Sequence, residues 1–410
     1  MEKNSSKNFS VEVSVDVFLA VFKYPDKEVN RDWTFNESEY SREVNAVIQF
    51  MANRLKLKGL GGLKDATPAI RYNKGKATND GDESVRFSYH TARPDMGLAV
   101  RFGGRGLKNY LRMRGGLTAS GLLVELDQLS KDLGWGLRFS RLDVAVDMVN
   151  CGRSVEAIRK KLTKGTWELR RRFTKNKKGK TIPGRLSVDM ESVNAISVGG
   201  NAQTLYLGSR EYTHLRIYDK KAEQLGHKAP MYRDKAKNCS DWVRFEAVFR
   251  NSSNRKDADD YARQLIQTHG SDFESDVLKG IFCDRFNLFN VGTRKLVGWW
   301  DKDVSRGMVT PPSMSQKDLD EWQDLERSMA HFITGNSGLQ SLLGKIAYKA
   351  ELEGKDPTGA ISGFLGAVVN YHNSAEYKEA SSVQTYKKRM AAVKELEEEL
   401  EEELEERKAI

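Results

Sequence analysis

The sequence predicts an α+β protein, on three observations. Several short stretches rich in β-branched and aromatic residues alternate polar and apolar side chains, the period of a strand with one face on a core. Between and after them, apolar residues recur at helical spacing. Beyond Pro311-Pro312 the strand pattern stops, and only helical segments and Gly-containing connections follow.

Taken in order, residues 1–10 are a polar tail. Residues 11–22, VEVSVDVFLAVF, read as a strand, 41–58 as a helix, and the Gly/Lys/Asp-rich stretch 59–84 as loop. Residues 85–90 and 97–102 read as two strands joined by a Pro-containing turn. Leu122, Leu126, Leu129 and Leu133 define a helix over 118–133, and Gly134 suits its left-handed C-cap. Strands follow at 137–148, 203–209, 213–219 and 242–250, with helices at 154–163, 255–268 and 271–279. Residues 281–289, IFCDRFNLF, read as one more strand, and Trp299-Trp300 close a core. The main domain is therefore 11–302. A helical region, 313–384, starts where Ser315 caps a helix carrying Leu319, Trp322, Leu325 and Met329. Residues 385–410 form an acidic helix with Val393, Leu396, Leu400 and Leu404 on one stripe and nine glutamates, the pattern of a solvated or coiled-coil helix.

A chain of 410 residues, 39% of them hydrophobic, can bury one large core or two smaller ones. No apolar run reaches the roughly 18 residues of a membrane span, and the N-terminus has no apolar signal-peptide core. Three cysteines at no metal-ligand spacing suit a reducing cytoplasm. The net charge of +10 points to an anionic partner. It is unevenly spread: residues 159–185 hold twelve Lys or Arg against one acid, Glu168. Such a run is ordinarily a solvated face. Here Trp167 and Phe173 interleave the cations, and the run joins two strands of the candidate site. Arg170, Arg171, Arg172, Lys175, Lys177 and Lys178 are therefore candidate phosphate contacts.

Three strands have one apolar and one polar face. In RLDVAVDM (141–148) the polar face carries Arg141, Asp143 and Asp147. In THLRIYDKKAEQ (213–224) it carries His214, Arg216, Tyr218 and Lys220. In WVRFEAVFR (242–250) it carries Arg244, Glu246 and Arg250. Side by side, they offer carboxylates for a hard cation such as Mg²⁺ or Mn²⁺, a hydroxyl nucleophile, and cations for developing negative charge. On alternation alone, an ordinary wet sheet face with cross-strand ion pairs accounts for the same pattern.

A resemblance separates the two readings. TLYLGSREYTHLRIYDKKAEQ (204–224) resembles the signature block of the replication initiation factor family, the Rep_trans-type rolling-circle initiators of plasmids and filamentous phages. RLDVAVD before it and VRFEAVFR after it resemble the flanking blocks in the same order, and VRFGGRGLKNYL (100–111) is similar to an upstream block. The resemblance spans roughly residues 12–300. It implies an antiparallel sheet, doubled into a curved platform, with helices behind it. It implies site-specific nicking and strand transfer at a replication origin through a covalent 5′-phosphotyrosine, with a divalent metal. Tyr218 in Tyr-Asp-Lys is then the nucleophile, rather than Tyr206 or Tyr212, with Lys220 and Arg216 beside it. Asp143, Asp147 and Glu246 are then the metal ligands. Arg210, in the Gly-Ser-Arg turn, is a further phosphate contact.

No His-x-His or His-x-x-x-His is present, which argues against a His-cluster relaxase site, and no Gly-x-x-x-x-Gly-Lys-(Ser/Thr). Unwinding would then fall to a host helicase. The expected partner is origin DNA, single-stranded or hairpin at the nick site, in a bacterial cytoplasm, with a homodimer admitted and no membrane. Two rivals stand: a conjugative relaxase with the same chemistry, and a non-catalytic, basic DNA-binding regulator.

Overall fold

The protein is described from a computed structural model covering residues 9–25, 36–78, 84–175, 181–187, 193–209, 213–227, 231–252, 255–272, 274–308 and 338–372. The alternation read in the sequence becomes a ten-stranded antiparallel sheet. Its strands are β1 (Ser10–Lys23), β2 (Lys64–Asp65), β3 (Lys74–Ala77), β4 (Val85–Tyr89), β5 (Leu98–Phe102) and β6 (Gly136–Val149). They continue with β10 (Val193–Val198), β11 (Asn201–Leu207), β12 (His214–Asp219) and β13 (Trp242–Arg250). Between these lie β7 (Trp167–Arg170), β8 (Thr174–Lys175) and β9 (Thr181–Ile182); β14 (Asn287–Asn290) follows β13.

The order across the sheet is β10-β11-β12-β13-β6-β1-β5-β4-β3-β2. It divides at the β6–β1 pair into two five-strand halves of one topology. Each half begins at the centre with its first strand (β1 or β6), sets its last strand beside it (β5 or β13), and steps outward in reverse order. Both central strands are long, 14 residues each, and β1 bulges between Val15 and Val17. The doubling implied by the resemblance is thus visible in the strand order.

One face of the sheet is apolar. Phe18, Phe22, Phe87, Phe102, Phe139, Leu142, Val144, Val146, Phe245 and Phe249 project from it into a single core. Helices α1 (Glu37–Arg54) and α3 (Ala119–Leu133) pack there, with α2 (Gly104–Met113) between them in the chain and α4 (Val155–Thr163) after them. Short helices α5 (Lys220–Gly226) and α6 (Arg233–Asn238) link β12 to β13, and α7 (Asp257–Gln267) and α8 (Glu274–Arg285) complete the core. The helices start where the side chains allow. Asn36, Thr118 and Ser154 each accept a hydrogen bond from a first-turn N–H, and Gly134 caps α3 at φ 65°.

Two sequence expectations change. Residues 281–289 are not one strand: 281–285 are the end of α8, with Val277, Ile281 and Phe282 buried at helical spacing, and only 287–290 are extended. A short apolar run cannot separate a buried helix turn from a strand. Residues 59–84 hold the two-residue edge strand β2 and its neighbour β3, whose lysines and glycine hide the alternation and suit a protected sheet margin. Trp300 is fully buried, as expected.

The chain divides into two units, Met1–Asp318 and Leu319–Ile410. In the second, α9 (Gly338–Leu352) and α10 (Pro357–His372) form a helical pair, joined by a turn in which Asp356 accepts from the N–H groups of Thr358 and Gly359. The helix placed at Ser315 and the acidic helix 385–410 lie outside the described residues.

Candidate active site

The strand register brings the predicted polar faces together. On β12, β13 and β6 it aligns Tyr218 with Arg244 and Asp147, and Arg216 with Glu246 and Ala145. One step further it aligns His214 with Val248 and Asp143. Period-two alternation then puts Tyr218, Arg216, Glu246, Asp143 and Asp147 on the face opposite the core.

Tyr218 is only 8% exposed. Its hydroxyl donates to Glu246 Oε2 at 3.3 Å. The Arg216 guanidinium lies over its ring at 4.7 Å, and Lys220 Nζ is 5.5 Å from the ring centre. Burial pushes the hydroxyl well above the ordinary tyrosine range, and Arg244 and Arg216 oppose the shift. Proton loss therefore needs an acceptor in contact with the hydroxyl, and Glu246 is in that position. Arg216 Nη2 holds both Glu246 oxygens at 2.7 Å. Lys220 pairs with Glu223 at 2.8 Å, and burial together with the Arg244 charge lowers its ammonium below the ordinary lysine value.

The three predicted metal ligands do not form one cluster. Asp147 accepts from Trp242 Nε1 at 2.7 Å and from Arg244 Nε and Nη2 at 2.8 and 2.6 Å, so its oxygens are occupied. Asp143 and Glu246 are diagonal neighbours on β6 and β13. Asp143 is fully buried and accepts two bonds from Arg141, at 2.8 and 2.6 Å. Burial raises its carboxyl to about 6; Arg141 opposes the shift and Glu246 adds to it. Among the described residues, no group of three or more His, Cys, Asp or Glu side chains is arranged to hold a metal ion. Two neighbouring carboxylates whose charges repel are a donor pair that suits a hard cation. Asp143 and Glu246 are such a pair, although Arg141 and Arg216 hold their oxygens much as Arg244 and Trp242 hold those of Asp147.

Sequence reasoning gave no role to Asp16, Lys108 or Trp242. Asp16 sits in the β1 bulge and accepts from Arg244 Nη1 at 2.8 Å, with Lys108 Nζ at 3.2 Å. Burial would raise its carboxyl, but the charges of Arg244, Lys108 and Lys220 outweigh burial and hold it below the usual range. The signal was present: Glu12, Ser14 and Asp16 alternate with valines as in the three strands singled out. Arg244, directly opposite Tyr218 in the register and with its side chain 2% exposed, thus bridges Asp16 and Asp147.

The basic run is placed differently from a free arm. Its start is the end of α4, where Arg159 pairs with Glu156. Trp167–Arg170 is β7, paired with β14. Arg170 binds Glu168 and the Gly184 carbonyl, and Arg172 binds Asp284. Arg171 is half-buried, and burial with the nearby Arg255 and Arg185 charges lowers its guanidinium. Trp167 packs on Trp299, and Phe173 on Phe289. These aromatics anchor the run to the core unit. Lys177, Lys178 and Arg210 lie outside the described residues, and Lys175 is described only as part of β8.

Residues 137–333 match the model of the replication initiation factor family. The matched stretch holds β6, β10–β13 and the residues gathered around Tyr218, so the resemblance read from the sequence blocks holds there. Among solved structures, the chain is similar to the rolling circle replication initiator protein from Geobacillus stearothermophilus. The identity is 17%, over 75% of this chain and 100% of that one, with a TM-score of 0.47. No curated protein matches. No described helix is long and apolar enough to cross a membrane.

Proposed function

We propose that this chain, whose residues 137–333 belong to the replication initiation factor family, starts rolling-circle replication by nicking one DNA strand with Tyr218. The observation that carries the reading is the hydrogen bond from Tyr218 to Glu246 amid Arg216, Arg244 and Lys220.

In the proposed step, the Tyr218 oxygen attacks a backbone phosphorus and its proton passes to Glu246. The bond from phosphorus to the 3′ oxygen breaks, that oxygen takes up a proton, and the 5′ phosphate stays on the tyrosine. Strand transfer is the reverse: a 3′ hydroxyl attacks the phosphotyrosine and the phenol regains its proton. Arg216 and Lys220 stand where charge develops on the phosphoryl oxygens. Asp143 and Glu246 would hold Mg²⁺ or Mn²⁺, which when bound would neutralise charge at a phosphoryl oxygen.

The partner is origin DNA, single-stranded or hairpin at the nick. A host helicase supplies unwinding, since the sequence has no phosphate-binding Gly-x-x-x-x-Gly-Lys-(Ser/Thr) loop. The test is incubation with supercoiled DNA of the parent replicon and Mg²⁺ or Mn²⁺, scoring nicked circles and protein-linked DNA. Both products are expected. Binding without an adduct would favour the non-catalytic regulator.

A further inference from the structure

The two halves of the sheet share a topology but not a polar face. The half that begins with β6 carries Tyr218, Glu246 and Asp143. In the half that begins with β1, the corresponding outer strands carry arginines. Arg86 on β4 is directly opposite Arg101 on β5, and Arg101 is opposite Leu19 on β1. Leu19 is opposite Arg141 on β6, and Arg141 is opposite Arg250 on β13. These pairings form one unbroken register row across five neighbouring strands. Four interstrand steps of about 4.8 Å make it roughly 19 Å long.

Paired residues share a face, and this is the wet face. Val85 and Phe87 flank Arg86, and Leu142 and Phe249 lie beside Arg141 and Arg250; all four of these apolar residues point into the core. The arginines themselves are half-buried, neither lost in the core nor free in solvent.

The row is electrostatically unusual. Like charges directly opposite each other in a sheet are destabilising, and this row contains two such pairs, Arg86 with Arg101 and Arg141 with Arg250. Burial and the neighbouring Arg141 charge lower the Arg250 guanidinium, so the repulsion is felt. Asp143 binds Arg141, while among the described residues no hydrogen-bond partner reaches the buried Nε of Arg250. A sheet that sets four arginines in a line is arranged for an anion with repeating charges. The row ends at β13, the strand that also carries Glu246.

We infer that Arg86, Arg101, Arg141 and Arg250 form a track for the phosphate backbone of the single DNA strand that is cut. The track crosses the half of the sheet that lacks the nucleophile and leads to the half that has it. This rests on the nicking reading for its direction, but not for the binding it claims. Leu19, in the middle of the row, is the gap between the two arginine pairs.

The experiment is fluorescence anisotropy of the full chain with a labelled, mixed-sequence single-stranded DNA oligonucleotide over a range of salt concentrations. Each lost phosphate contact on a single strand lowers the slope of log affinity against log salt by about 0.7. Replacing two arginines (Arg86→Gln with Arg101→Gln) should lower it by about 1.4 and weaken binding about tenfold. Arg86→Lys with Arg101→Lys should restore most of the slope, which a purely structural role would not. Leu19→Asp places a carboxylate between Arg101 and Arg141 and should weaken binding with every arginine present. Leu19→Arg adds a cation and should steepen the slope. An unchanged slope in the folded Gln double variant, or in both Leu19 variants should the Gln variant not fold, overturns the track. Absence of any covalent adduct from the wild-type chain would instead remove the nicking reading and leave the binding result standing.

Discussion

The two halves of the sheet have the same strand order and opposite chemistry. In the half built on β6, carboxylates and a tyrosine are brought into contact with arginines: Glu246 with Arg216 and Tyr218, Asp143 with Arg141, Asp147 with Arg244. In the half built on β1, the wet face of β4 and β5 offers Arg86 and Arg101 set against each other. On the proposed reading, one topology serves both as a reaction platform and as an adjoining cationic surface. The β1–β6 junction joins them, with Asp16 of one half and Asp147 of the other both bound to Arg244.

The comparison breaks most sharply at Tyr218. Tyr218→Phe removes one hydroxyl and one 3.3 Å hydrogen bond, so the fold should persist while protein-linked DNA, scored on denaturing gels, disappears. An adduct formed at the wild-type rate would mean that this half is not the reaction platform.

The next largest effect is on stability at the junction. Arg244 is buried between two carboxylates, and removing one partner of a buried ion pair leaves uncompensated charge. Arg244→Met should destabilise the chain by about 3–5 kcal/mol in denaturant unfolding. A loss near that of a surface pair, below about 1 kcal/mol, would show that the two halves are not tied together there.

The Asp143 carboxyl sharpens the same contrast through pH. Its folded value of about 6 lies above the ordinary 3.8. Its protonated form is therefore the one that folding favours. That contribution is complete below about pH 4 and is lost as pH rises through about 6. Relative to Asp143→Asn, the wild type should lose on the order of 2–3 kcal/mol between pH 4 and pH 7. Urea unfolding of both proteins across that range measures it. A difference independent of pH would mean that Arg141 holds Asp143 ionised throughout.

The smallest effect is expected on the basic run. Arg170 and Arg172 are engaged by Glu168 and Asp284. Arg170→Gln with Arg172→Gln should therefore flatten the salt slope of single-strand binding by less than one contact, below about 0.7. Any larger change would shift the DNA path from the arginine row to this run.

Much of the β6 half was legible in the sequence, because period-two alternation assigns each side chain to a face and the faces were assigned correctly for Asp143, Tyr218 and Glu246. Which partner each side chain meets was not legible. Asp147, a metal ligand by the resemblance, lies on the expected face, and Trp242 and Arg244 hold it across the register. The register is set by strand pairing between residues almost a hundred positions apart. The alternation of Glu12, Ser14 and Asp16 with valines marked the face of Asp16, but not the bulge at which it meets Arg244. The edge strand β2 and its neighbour β3 were missed because this margin of the sheet is protected by lysine and glycine rather than marked by alternation. The arginine row was hidden for a related reason. Each of its members looks like an ordinary strand cation until five strands are aligned.

The most direct test of the nicking chemistry is to map the attachment. Tryptic cleavage after Arg216 and Lys220 leaves the peptide Ile217-Tyr218-Asp219-Lys220, with a single tyrosine. After digestion of the protein and the DNA of a trapped adduct, mass spectrometry should find the nucleotide phosphate on this peptide. Attachment at Tyr206 or Tyr212, or no attachment to any tyrosine, would contradict the assignment of Tyr218 as the nucleophile.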